Sequence, residues 1–139
     1  MEKIDLTAAL AAIEGSWSPR TVAQVNDVDI KLVKLEGDFV WHHHQHEDEL
    51  FLVVRGRLTM HFRDRDVELA EGQLLVVPRG VEHRPEADGE CHVLLVEPRS
   101  TLRLGNLESV AGPVAQTPPG SSPAQRGDEA GPSLEGRAR

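Results

Sequence analysis

From Val28 the chain alternates apolar and polar positions: Val28, Ile30 and Leu32 are separated by Asp29 and Lys31. A period of two predicts a strand with one buried face. Further short apolar runs follow at residues 39–42, 50–54, 58–62, 67–69, 73–77 and 91–96. Turn-forming residues bound them: Gly37–Asp38, Arg55–Gly56, Asp64–Asp66, Glu71–Gly72, Pro78–Gly80 and Asp88–Gly89. Strands recurring at roughly 8–12 residues predict an all-β sandwich or barrel. No helix-period segment interrupts them, which argues against a parallel α/β sheet. Ahead of them, Asp5 to Ile13 reads as a short helix, with Leu6, Ala9, Leu10 and Ile13 on one face. Asp5 is placed to cap it and Gly15 to end it.

The pattern stops before Gly112. Residues 112–139 hold 13 Pro, Gly or Ser in 28 positions and no aromatic. Such a segment buries too little apolar surface to offset its ordering entropy. The expected organisation is a helix and lead-in over 1–20, a β-barrel over 21–111 and a disordered tail over 112–139.

Charge narrows the partners. The chain carries 15 Lys plus Arg against 23 Asp plus Glu, a formal net charge of -8. An acidic chain lacks the basic stripe that phosphate backbones require, so nucleic acid is not an expected partner. One cysteine, Cys91, excludes an internal disulfide and fits a reducing, cytoplasmic setting. The first residues do not read as a secretory signal, and no apolar run approaches a membrane span.

Against this background WHHHQHEDELF, residues 41–51, stands out. Treated as a pleated strand, it puts His42 and His44 on one side and Trp41 and His43 on the other. A bend at residues 45–48 would reset the alternation before Glu49 opens the next strand. If the two strands pair, His42, His44 and Glu49 converge. Two imidazoles and a carboxylate are a common divalent-metal set. His83, which follows the turn Pro78–Arg79–Gly80, would point inward as a fourth member. The plainer reading is a solvated histidine patch and an unrelated histidine.

These residues resemble the two motifs of the cupin family. The first has the form G-x5-HxH-x3,4-E-x6-G. Here four residues separate His44 from Glu49 and six separate Glu49 from Gly56. The second has the form G-x5-PxG-x2-H-x3-N, matched by Gly72, Pro78, Gly80 and His83. A gap of 15 residues lies between them. Four residues separate Gly37 from His42 where the motif has five, and Ala87 replaces the asparagine. The resemblance, over about residues 30–98, implies a double-stranded β-helix, or jelly-roll barrel. It also implies one divalent transition metal (iron, manganese, zinc or nickel) held by His42, His44, Glu49 and His83.

Other candidates carry plainer readings. Phe51, Val53, Met60, Phe62, Val76, Leu94 and Val96 are expected to line the barrel, as core first and as substrate contacts second. His46 and Glu82 are candidate acid–base groups on proximity alone. His43, His61 and His92 are expected to face outward, and Cys91 to be a small buried hydrophobe. Arg79 and Arg84 flank the second motif, where surface solvation competes with attraction of an anionic substrate. Trp41 is a packing residue, or an anchor for a second subunit.

Two functions remain open. One is a metal-dependent enzyme acting on a small organic molecule by isomerase, lyase or dioxygenase chemistry. The other is a non-catalytic cupin that binds, senses or assists. Either would work on a small molecule, and covering exposed sheet faces would favour a homodimer.

Overall fold

The longest strand, β7 (His83–Pro98), organises the structure. In the computed structural model, which describes residues 1–108, it runs antiparallel to three others. Its second half lies between β2 (Val28–Asp38) and β3 (Glu49–Arg55), with Val33 and Val53 both opposite Val93. Its first half pairs with β4 (Leu58–Phe62), which in turn pairs with β5 (Asp66–Leu69). β1 (Arg20–Val25) extends the sheet beyond β2, and β6 (Leu74–Val77) beyond β3. The architecture is an all-β antiparallel jelly roll with one short helix, as expected.

β7 stays continuous through Asp88–Gly89, where a turn was expected. The three residues Asp88 to Glu90 are exposed, and the β2 register slips between Leu35 and Gly37 opposite them. A bulge of this kind bends a strand and increases its twist without ending it. One strand therefore serves both walls of the barrel.

Alternation along these strands separates two faces. Val33, Leu35, Phe51, Val53, Cys91, Val93 and Leu95 point inward and join Leu58, Met60, Leu69 and Val77 in the core. The helix α1 (Leu6–Ala11) covers part of the opposite face. Its N-cap is Asp5, which accepts from the Ala8 backbone N–H at 3.2 Å. Leu10 and Ile13 pack on Leu32, with Val22, Val54 and Leu94 around them.

These faces correct three expected cavity residues. Val76 is 46% exposed, and its neighbour Val77 turns inward instead. Leu94 belongs to the cluster beneath α1, and Val96 shares its face because the two are two residues apart. Phe51, Val53 and Met60 are buried in the core, and half-buried Phe62 packs against it. Cys91 is buried, and burial pushes its thiol pKa up to about 11, so it sits there as a small hydrophobe.

Residues 39–42 form no strand. Only His42 pairs, in an isolated bridge to His83. The segment that carries the histidines thus docks on the start of β7, and not on β3 as the simple pairing of neighbouring runs predicted. Closing a barrel wall onto the bent β7 takes precedence over pairing with the next strand in sequence. The expected disordered tail, 112–139, and the last residues of the expected barrel lie outside the described residues.

A candidate metal centre

Although residues 42–44 are not a regular strand, their side chains alternate as a strand's would. His42 and His44 are each 4% exposed, while Trp41 and His43 are only half-buried. Backbone bonds hold this geometry. The His42 N–H donates to the His83 carbonyl at 3.1 Å, and the His83 N–H donates back at 2.9 Å. The Gly80 N–H donates to the His44 carbonyl at 2.8 Å. The turn Pro78–Gly80 therefore positions His83 and also ties down the first histidine pair. The Asp48 carboxylate accepts from the Arg79 backbone N–H at 2.8 Å and faces its guanidinium. That pairing makes Arg79 part of the turn.

His42, His44, Glu49 and His83 converge. One nitrogen or oxygen from each lies within 4.8 Å of the others, and all four residues are buried. His44 Nε2 is 3.1 Å and His83 Nε2 3.6 Å from Glu49 Oε1. Ligands at about 2.0–2.2 Å from one ion would be about 3–4 Å apart, so these separations suit a shared cation. Two further observations fit. His42 Nδ1 faces the Val40 carbonyl and His83 Nδ1 the Val81 carbonyl, both at 2.9 Å and both two residues back. A ring N–H donated to a carbonyl leaves Nε2 as the free donor atom, the usual arrangement of metal-binding histidines. Moreover His44 Nε2, His83 Nε2 and Glu49 Oε1 are buried without a hydrogen-bond partner. Buried polar atoms are rarely left so, and a divalent cation would satisfy all three.

The electrostatics agree. Burial, and then the cost of placing a second charge beside the His83 and His44 rings, pushes the His42 pKa well below its ordinary 6.5, favouring the neutral ligand form. Burial pushes the Glu49 carboxyl up, but the facing His44 and His83 rings and the Glu97 carboxyl outweigh it and hold the pKa well below 4.5. Behind His42 stands an aromatic wall. Phe39 meets the His42 ring edge-on at 5.3 Å and stacks on Trp17 at 4.8 Å. Phe51 approaches His83 at 6.3 Å.

Glu97 escaped the sequence reading. It is 4% exposed, lies on the inner face of β7 beyond Leu95, and touches Glu49. Burial and then the Glu49 carboxylate push its pKa up to about 8, against the pull of Lys31, whose ammonium sits 2.6 Å away. The alternation Cys91, Val93, Leu95 carried the signal, since the next residue of that period is Glu97.

The remaining candidates stay outside the cluster. His46 is exposed on the bend after His44. Glu82 turns away from the inward His83 and pairs with Arg63 at 3.0 Å. Arg84 pairs with Asp38 at 3.1 Å. His61 is held between Asp66 at 2.7 Å and Glu86 at 2.5 Å. His92 meets Glu90 at 2.6 Å. Trp41 lies under the Arg63 guanidinium, 3.8 Å from its ring centre.

The cupin domain family matches residues 30–97, the stretch that contains both histidine motifs and Glu97. A cupin-2 domain protein from Shewanella frigidimarina is 45% identical, and its solved structure superposes with a TM-score of 0.68 over 69% of this chain and 94% of that one. The chain belongs to the cupin family. Protein NMB1881 from Neisseria meningitidis is similar too, at 36% identity over 70% of this cupin and 99% of that chain, with a TM-score of 0.65. The protein YdbB of Bacillus subtilis is 37% identical over 65 residues, and this cupin spans 58% of its length. Among the described residues no helix is long and apolar enough to cross a membrane.

Proposed function

We propose that this cupin binds one divalent transition metal through His42, His44, Glu49 and His83 and uses it enzymatically on a small organic molecule. The observation that carries the metal reading is the convergence of two buried, unpartnered nitrogens, His44 Nε2 and His83 Nε2, on the equally unpartnered Glu49 Oε1. Three imidazoles and a carboxylate suit iron, manganese, nickel or zinc. A bound ion would supply Lewis-acid polarisation, an activated water or oxygen chemistry, according to its identity. The enzymatic reading draws on Glu97. A buried carboxyl in contact with a metal ligand is a candidate proton donor or acceptor for the reaction. The aromatic wall of Phe39 and Trp17 limits water around His42, which favours isomerase, lyase or dioxygenase chemistry over a solvated binding site. Its lone buried thiol fits a cytoplasmic location.

Elemental analysis of tag-free protein tests the first part, with about one metal per chain expected. Cobalt(II)-loaded protein tests the second. A catalytic site keeps an open position, so added azide should change the visible spectrum. No spectral response would move the reading to a non-catalytic, structural metal.

A further inference from the structure

A turn near the end of the described chain grips the histidine segment from the side opposite His83. The His43 N–H donates to Asn106 Oδ1 at 2.7 Å, and the Asn106 N–H donates to the His43 carbonyl at 2.8 Å. Asn106 thus pairs with both polar groups of His43, as a neighbouring strand would. Of the six backbone N–H and C=O groups of residues 42–44, His83 takes two, Asn106 two and Gly80 one. Asn106 lies in the single-turn 3-10 helix Gly105–Leu107. The approach is close enough to require glycine next to it. A Cβ on Gly105 would lie 2.1 Å from the His43 carbonyl oxygen and 3.1 Å from His44 Nδ1, and its φ of +54° already lies in the left-handed region.

We propose that Asn106, with Gly105, is a positioning residue of the metal centre. Resting on the metal reading above, it holds the His43 peptide so that His42 and His44, on either side, keep their rings aimed at Glu49. The physical need is clear. Residues 42–44 have no sheet of their own beyond the one bridge to His83. Without the turn, the His43 amide and carbonyl would lose their partners and the ligand pair would gain freedom about the His83 bridge. Asn106 touches no donor atom itself, so it acts through the backbone. Outer partners that orient ligands are worth about 10- to 100-fold in metal affinity.

The test compares cobalt(II) affinity and visible spectrum in wild type, Asn106→Ala, Asn106→Asp and His83→Ala. Asn106→Ala is expected to bind about tenfold or more weakly, with altered ligand-field bands. Asn106→Asp keeps the acceptor oxygen and is expected to restore the wild-type affinity and spectrum. Amide exchange at His43 in metal-free wild type supplies a readout that does not depend on a variant folding, and slow exchange is expected. Wild-type affinity in Asn106→Ala, or rapid exchange at His43, would overturn the proposal while leaving the metal site standing. No cobalt binding in wild type would remove the metal reading itself, and this positioning role with it.

Discussion

The carboxyls of Glu49 and Glu97 lie against each other on the inner face of the barrel, on neighbouring strands. Asp29 stands opposite Glu97 on the next strand, making a row of three acids. Like charges opposite each other destabilise a sheet. The row persists because each member is offset differently. Gln24 donates to Asp29 at 3.0 Å and Arg99 approaches it at 3.4 Å. Lys31 pairs with Glu97, and the histidines face Glu49.

This row makes stability depend on pH. Glu97, with its pKa raised to about 8, holds its proton more tightly folded than unfolded. Its contribution is complete below about 4.5 and is lost as pH rises through about 8. His42, with its pKa depressed, works the other way: its contribution is present above about 6.5 and is lost as pH falls. The two oppose each other at mildly acid pH, which leaves Glu97 acting alone from 6.5 to 8. Metal-free protein is expected to lose up to about 1.4 kcal/mol per pH unit there. Glu97→Gln should flatten that slope. Urea melts at pH 6.5, 7.2 and 8 measure it, and a parallel decline in the variant would contradict the assignment.

Lys31→Met leaves the buried Glu97 carboxyl without its cation. Glu97 ionises only as pH reaches about 8 and the Lys31 side chain retains 16% exposure, so the cost is that of a lost polar partner, about 1–3 kcal/mol at pH 8 and less at pH 6.5. The double variant Lys31→Met, Glu97→Gln should recover most of the loss. A thermodynamic cycle on the four proteins checks the coupling.

Ligands and non-ligands separate by substitution. His83→Ala should reduce metal content from about one per chain to a small fraction, because His83 is fully buried and supplies an unpartnered Nε2. His43→Ala should bind normally, since Asn106 grips the His43 backbone and not its ring. Elemental analysis of both reads the result. Equal losses would overturn the register of the histidine segment.

The outer face of the sheet offers a place for a second copy of the chain. Leu74 and Val76 are 56% and 46% exposed, and Leu50, Leu52 and Val96 lie beside them on the same face. On a chain of net charge -8, an apolar stripe is where two copies can meet with little charge repulsion. A homodimer through this face is proposed. Sedimentation should give a dimer for wild type and a monomer for Leu74→Lys, Val76→Lys. An unchanged sedimentation coefficient would place the contact elsewhere or exclude it.

The sequence by itself determined most of the strand content and the four residues of the candidate metal cluster. Alternation marks β4, whose Leu58 and Met60 enter the core while Thr59 and His61 do not, and the spacing from His42 to Glu49 and from Pro78 to His83 is local. The faces of β6 and of the end of β7 were not legible. In runs such as LLVV and HVLLV both faces are apolar, so alternation cannot tell inside from outside. That is how Val76, Leu94 and Val96 were placed inward, although the two-residue step from Cys91 to Glu97 held the answer. Only the tertiary structure decided three things. It docked the histidine segment on β7 and not on β3. It set Glu97 against Glu49, and it brought Asn106 back to His43 across 63 residues. Pairings of that kind depend on where the barrel closes, and closure depends on the whole chain at once, not on any local run of residues.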